Sequence, residues 1–203
     1  MTQLSNHLTA MREATPLVQN ITNFVAMNVM ANVMLAAGAA PAMVHAREEG
    51  AEFAAIASAV SINIGTLDAE WADCMALAAE AAQANSKPWV LDPVAVGATG
   101  LRRDTGARLL QFNPTVIRGN ASEILALAGA DAAGRGVDSA DPVAAAEQGA
   151  RALASKQGCV VAVTGEVDFV TDGTRAARVA NGHATVSYTH LTLPTNTNAC
   201  RSR

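Results

Sequence analysis

Residues 60–93 read Val60-Ser61-Ile62-Asn63-Ile64-Gly65-Thr66-Leu67-Asp68, then AEWADCMALAAEAAQANSKP over 69–88, then Trp89-Val90-Leu91-Asp92-Pro93. The first run is β-branched, apolar and closed by glycine, the pattern of a short buried strand. The middle segment is alanine-rich and opens at Asp68, a residue that caps helix N-termini. The last run is apolar again and stops at Asp-Pro, a turn signal. Two strand-like runs separated by a helix of this length form a βαβ unit, because parallel neighbours need a long crossover. The stretch therefore predicts a parallel sheet.

The same alternation extends in both directions. Towards the N-terminus the pattern predicts a helix over 4–14 ended by Pro16, and a short segment over 17–22. A helix over 23–37 follows, with Asn23 as N-cap and Gly38 closing it, then a strand over 42–45 and a helix over 48–59. Beyond residue 93 it predicts a helix over 101–111 and a strand over 115–117 running into Arg118-Gly119-Asn120. After these come a helix over 122–128, a glycine-rich loop and a helix opened by Asp141-Pro142. A strand over 159–163 ends at Thr164-Gly165, and a hairpin joins 167–171 to 176–179 through Asp172-Gly173. The expected fold class is α/β, mostly parallel, with helices on both faces and an antiparallel edge. The helix over 24–37 is apolar on nearly every face, which predicts burial in a core or between subunits.

Composition limits the function classes. The chain has 203 residues, 50% of them apolar and 16% charged, which excludes disorder for most of its length. Aromatics are 3% and the net charge is -4, which argues against a nucleic-acid module that stacks bases or grips a polyanion. The apolar run over 24–44 is broken by Asn28, Asn32, Gly38 and Pro41, so no membrane span is expected. Cys74, Cys159 and Cys200 have neither zinc-site nor disulfide-framework spacing, and the first 16 residues lack the pattern of a signal peptide. Both features predict a cytoplasmic protein. Residues 185–203 hold 5 of the 16 threonines and the single tyrosine, but one of the 45 alanines and no acid. Composition thus divides the chain into a domain over 1–184 and an unrelated tail over 185–203.

Ligands of open parallel sheets bind beyond the carboxyl ends of the strands. Here those ends carry Gly65, Asp92, Arg118 and Thr164. Asp92 is a candidate for a hard divalent cation, Arg118 for a phosphate, and Thr164-Gly165 for close approach of a nucleotide. That set suits phosphoryl transfer. Each residue also has a structural reading: Asp-Pro opens turns, Asn120 and Glu123 match a capping box, and Met43 is an ordinary core residue. Neither a G-x-G-x-x-G nor a P-loop pattern occurs, and the four histidines show no metal-ligand spacing.

Six ordered motifs resemble the hydroxyethylthiazole kinase family. They are Gln19-Asn20-Ile21-Thr22-Asn23-Phe24-Val25 with Asn28, Ala37-Gly38-Ala39 through Pro41-Ala42-Met43, and Asn63-Ile64-Gly65-Thr66-Leu67. Leu91-Asp92-Pro93-Val94 with Val96-Gly97, Arg118-Gly119-Asn120 with Glu123-Ile124, and Val163-Thr164-Gly165-Glu166 with Asp168 complete the series, and the likeness reaches Asn181-Gly182-His183. The resemblance implies a ribokinase-like fold, and phosphorylation of the hydroxyl of 4-methyl-5-(2-hydroxyethyl)thiazole by ATP with Mg2+, for thiamine synthesis or salvage. It also implies a homotrimer with active sites between subunits. By motif position it places Met43 and Asn23 at the thiazole, Arg118 and Thr164 at ATP, and Asp92 and Glu123 at the metal. One departure stands out. The family's Gly-Thr-Gly-Cys motif, which binds the transferred phosphate and holds the candidate base, does not occur in this chain. Cys200 has no glycine beside it, so no catalytic residue is carried over. The expectation is a kinase domain incomplete at its C-terminus and impaired in turnover. The alternatives are another ribokinase-like small-molecule kinase and a non-catalytic binding or assembly remnant.

Overall fold

The computed structural model describes residues 2–129 and 142–180. The glycine-rich loop, Asp141, the Asn181-Gly182-His183 motif and the tail over 185–203 lie outside the described residues. The elements in chain order are α1 (Thr2–Ala14), β1 (Leu17–Ile21), α2 (Met27–Ala37), β2 (Ala40–Ala42), α3 (Gly50–Ile56) and β3 (Ala59–Asn63). They continue with α4 (Ala69–Ala84), β4 (Trp89–Asp92), α5 (Gly100–Leu110), β5 (Val116–Asn120) and α6 (Ala121–Ala128). The last are α7 (Pro142–Gln157), β6 (Val160–Thr164), β7 (Asp168–Thr171) and β8 (Ala176–Val179). The eight strands form one sheet in the order β2-β1-β3-β4-β5-β6-β7-β8. Strands β1 to β6 are parallel, and β7 runs antiparallel to both neighbours. The predicted α/β class and antiparallel edge are what the structure shows.

The core lies between the sheet and its helices. Ile21, Ile62, Leu91 and Ile117 come from successive parallel strands and are fully buried. On α4, Cys74, Met75, Ala78, Ala79 and Ala82 are buried with them. Alanine loses no side-chain rotamers on burial and keeps the helix close to its neighbours, so the abundant alanines supply packing at low entropic cost. Burial pushes the thiols of Cys74 and Cys159 up to about 11, where they stay protonated and inert at neutral pH. No helix among the described residues is long and apolar enough to cross a membrane.

Several expectations are corrected. The second helix begins at Met27, not Asn23, with Ala26 as an N-cap that makes no side-chain bond. Asn23 instead closes a preceding turn, its Oδ1 accepting from the Ala26 N–H at 2.8 Å. That helix is not buried in the chain either: Val29, Val33 and Leu35 are 56%, 59% and 60% exposed. The second strand lies at Ala40–Ala42, earlier than expected. Arg118, Gly119 and Asn120 are strand residues that pair with β6 as far as Asn120 opposite Thr164. Gly38 does close α2, at φ 106°, with its N–H bonded to the Leu35 and Met34 carbonyls.

Asp68 caps α4 as predicted, accepting from the Trp71 N–H at 2.8 Å. Asp68→Ala leaves that N–H without its partner, and urea denaturation is expected to show a loss of about 1 kcal/mol.

Candidate active site at the carboxyl ends of the strands

The strand registers bring the candidate residues to one edge. Ile21 pairs with Ile62, Asn63 with Asp92, and Asn120 with Thr164. From that alignment a chain of side chains crosses the sheet. Asn23 Nδ2 donates to Asn63 Oδ1 at 3.0 Å, and Asn63 Nδ2 donates to Asp92 Oδ2 at 2.8 Å. Arg118 Nη1 lies 3.7 Å from the same Asp92 oxygen. Gly65 makes this possible. Its N–H donates to Asn63 Oδ1 at 2.9 Å, and a Cβ there would stand 2.6 Å from Asn23 Cβ.

Asp92 is three-quarters buried and Arg118 is more than half exposed. Burial raises the Asp92 carboxyl above its ordinary range, against the lowering effects of Arg118 and the Asn63 hydrogen bond, and the charge of nearby Glu123 raises it further. Both described contacts of the Asp92 carboxylate fall on Oδ2. Glu123 forms the capping box with Asn120, its Oε2 accepting from the Asn120 N–H, while Oε1 accepts from the Ala95 N–H at 2.9 Å. The structural reading of Glu123 is thus real. It also ties α6 to the loop that follows Asp92. In that loop Ala95 adopts φ 52°, a left-handed conformation costly for a non-glycine residue and a kind of strain that gathers at functional sites.

Among the described residues no group of three or more His, Cys, Asp or Glu side chains is arranged to hold a metal. The donor set still fits a Mg2+ ion shared with phosphates, which takes one or two carboxylates and fills its remaining positions from water and substrate. Two carboxylates stand here, and each oxygen accepts more than one bond.

The structure joins Asp92 to Arg118 directly and to Asn23 through Asn63, and brings Glu123 in through backbone contacts. No described contact links Met43 or Thr164 to them. Met43 follows β2 at the outer side of β1, next to the loop held by Gln19, whose Nε2 donates to the Val44 and Gly50 carbonyls at 3.3 and 3.2 Å. Thr164 ends β6 beside Gly165, whose N–H donates to Asp168 Oδ1 at 3.0 Å. The rings of Phe24 and His45 pack on Trp71 with centroids at 4.6 and 4.9 Å, tying together the segments after β1, β2 and β3.

Sequence reasoning singled out neither Asn63 as a site residue nor Arg102. Asn63 is the central link of the polar chain. Arg102 donates to the carbonyls of Ile64, Gly65 and Val94, all near the strand ends. One signal was present: Arg102 and Arg103 stand in the first turn of α5, where positive charge opposes the helix dipole.

This sheet has the ribokinase-like fold. An adenosine kinase from Anopheles gambiae aligns at TM-score 0.54 and 10% identity, over 88% of this chain and 65% of its own, a likeness of fold. The chain belongs to the hydroxyethylthiazole kinase family, whose model matches residues 8–193, past the compositional break at 185. Hydroxyethylthiazole kinase from Cereibacter sphaeroides is 67% identical over 177 residues, 87% of this chain and 68% of that protein. The protein of the same name from Rhizobium leguminosarum is 65% identical over 177 residues, 87% of this chain and 66% of its own length. The solved hydroxyethylthiazole kinase protein of Pyrococcus horikoshii superposes with TM-score 0.83 and 42% identity, covering 94% of this chain and 73% of its own. The chain therefore spans about two thirds of the length of the curated relatives it matches.

Gly65→Ala should break the polar chain at its tightest point, because the two side chains nearest the new Cβ, Asn23 and Asn63, are held in place by hydrogen bonds through their amides. The expected result is a loss of about 1–3 kcal/mol in urea denaturation, the cost of overpacking a filled site.

Proposed function

We propose that this chain serves the ATP-dependent phosphorylation of the hydroxyl of 4-methyl-5-(2-hydroxyethyl)thiazole, in thiamine synthesis or salvage. The observation that carries the reading is the side-chain path from Asn23 through Asn63 to Asp92, with Arg118 beside it. Asn23 and Met43 take the thiazole at the β1 and β2 end. Arg118 and Thr164 take the phosphates of ATP at the β5 and β6 end, where a guanidinium suits phosphate oxygens. Asp92 and Glu123 would hold Mg2+. The ion's contribution there is to neutralise charge on the transferring phosphoryl group. Asn63 keeps Asp92 oriented, and Arg118 is drawn to Asp92 when no phosphate is near.

The assembly we propose is a homotrimer. Its support is α2, whose apolar side chains stand exposed in the single chain beside exposed Phe24 and Val25. Covering that face with a second copy places the Asn23 end of the site at a subunit boundary. The buried, protonated thiols suit the reducing cytoplasm, and composition makes 1–184 the kinase part.

Calorimetry separates the two halves of the site. Met43→Asp is expected to weaken the thiazole alcohol at least tenfold and leave ATP unchanged, and Arg118→Ala the reverse. Loss of neither ligand in either variant would contradict the reading.

Asp92 gives a pH-linked test. Its folded-state value is raised, so the protonated carboxyl stabilises the fold fully below the ordinary value of 3.8. That stability is lost as pH rises through the raised value, which leaves a buried charge as a cost at pH 7. Asp92→Asn should therefore melt no lower than the parent chain at pH 7 while losing the Mg2+ dependence of ATP binding. For the assembly, light scattering on Val33→Asp should give a smaller species than the parent chain. A parent chain that is already monomeric would count against the trimer.

A further inference from the structure

We infer that Arg102 is the positioning residue of the metal–phosphate end of the site, a role that rests on the reading of Asp92 above. Arg102 stands in the first turn of α5, after the N-cap Thr99. Its Nη1 donates to the Ile64 carbonyl and to the Val94 carbonyl, the latter at 2.9 Å, and its Nη2 donates to the Gly65 carbonyl. Ile64 and Gly65 directly follow Asn63, and Val94 lies two residues after Asp92. The Ile64 and Val94 N–H groups in turn both donate to the Asp92 carbonyl, at 3.2 and 3.0 Å. The guanidinium thus locks the β3 and β4 exits into one unit whose two side chains are Asn63 and Asp92.

Three features separate this from ordinary packing. The fork binds backbone only, and no described ion pair includes Arg102, so its charge is left uncancelled next to the strand ends. A positive group in the first turn of a helix opposes the helix dipole, so local electrostatics does not explain its place. The three acceptors sit on two different loops, a demand that a planar fork with five fixed donors meets and an ammonium does not. The predicted consequence is specific. Loss of the fork frees the Asp92 carboxylate to rotate away from its productive orientation. The binding of Mg2+ together with ATP weakens. The contacts that ATP alone makes with Arg118 and Thr164 survive.

The test measures ATP binding to the full chain by calorimetry, once with excess Mg2+ and once with EDTA, for the parent chain, Arg102→Lys, Arg102→Met and Asp92→Asn. The expected result for Arg102→Lys is ATP binding weakened about tenfold or more in Mg2+, the scale of lost support around a metal ligand, and unchanged in EDTA. Arg102→Met should show the same split more strongly. Equal weakening with and without metal in both variants would mean that Arg102 only stabilises the fold, and would overturn the inference. Parent-like Mg2+ dependence in Arg102→Lys, with that dependence lost in Asp92→Asn, would overturn the inference alone. A parent chain whose ATP binding ignores Mg2+, or an Asp92→Asn that behaves as the parent, would overturn the reading of Asp92 and this inference with it.

Discussion

The Asn63 side chain is the contact on which the site depends. A primary amide can accept on its oxygen and donate from its nitrogen at once, and Asn63 does both. Its oxygen receives the Asn23 amide and the Gly65 N–H, and its nitrogen donates to Asp92. Aspartate at 63 would set two carboxylates facing each other, and leucine would leave Asp92 without a donor in a largely buried setting, which costs more than the bond itself. The parallel register makes the contact available, since Asn63 and Asp92 are direct neighbours across β3 and β4. Gly65 is the second half of the same constraint, because only a residue without a Cβ fits between Asn23 and Asn63. Backbone, register and side-chain chemistry meet at this point.

The fold around it was largely legible in the sequence. The switch between β-branched runs and alanine-rich helical stretches gave the order of strands and helices and the parallel class. Boundaries were less legible where turn geometry decides them. Asn23 looked like an N-cap, and it does accept a backbone N–H, but it lies four residues before the helix begins at Met27. Composition showed that α2 needs a cover and could not say what covers it. In the single chain its apolar face is open.

The site was legible by residue type and not by connection. Asp92 was marked because a carboxylate follows an apolar run, and it does end a strand at the sheet's carboxyl edge. Glu123 was weighed as a capping residue and as a metal ligand. The structure shows the capping box together with a tie to the strained Ala95, so the first role is met without excluding the second. Asn63 went unremarked as a site residue because its meaning depends on its neighbour on the next strand, which a linear reading does not display. Arg102 was hidden for a related reason: its three partners are carbonyls, two of them 37 and 38 residues back along the chain, which leave no trace in side-chain sequence.

Across the sheet edge the polar chain also has a direction. The β1 and β2 end presents amides, a thioether and aromatic rings. The β5 and β6 end presents Arg118. Asp92 stands between them, its carboxylate three-quarters buried and held by a neutral donor on one side and a cation on the other. A neutral alcohol meeting an anionic phosphate needs this division. A charge at the first end would cost desolvation without a partner on the substrate, and a neutral second end would leave the phosphate charge unmatched. Arg102 adds positive charge at the middle without using a carboxylate to hold it there. On the proposed reading this division draws phosphate to the Arg118 end, while the buried Asp92 charge remains a cost to stability at pH 7.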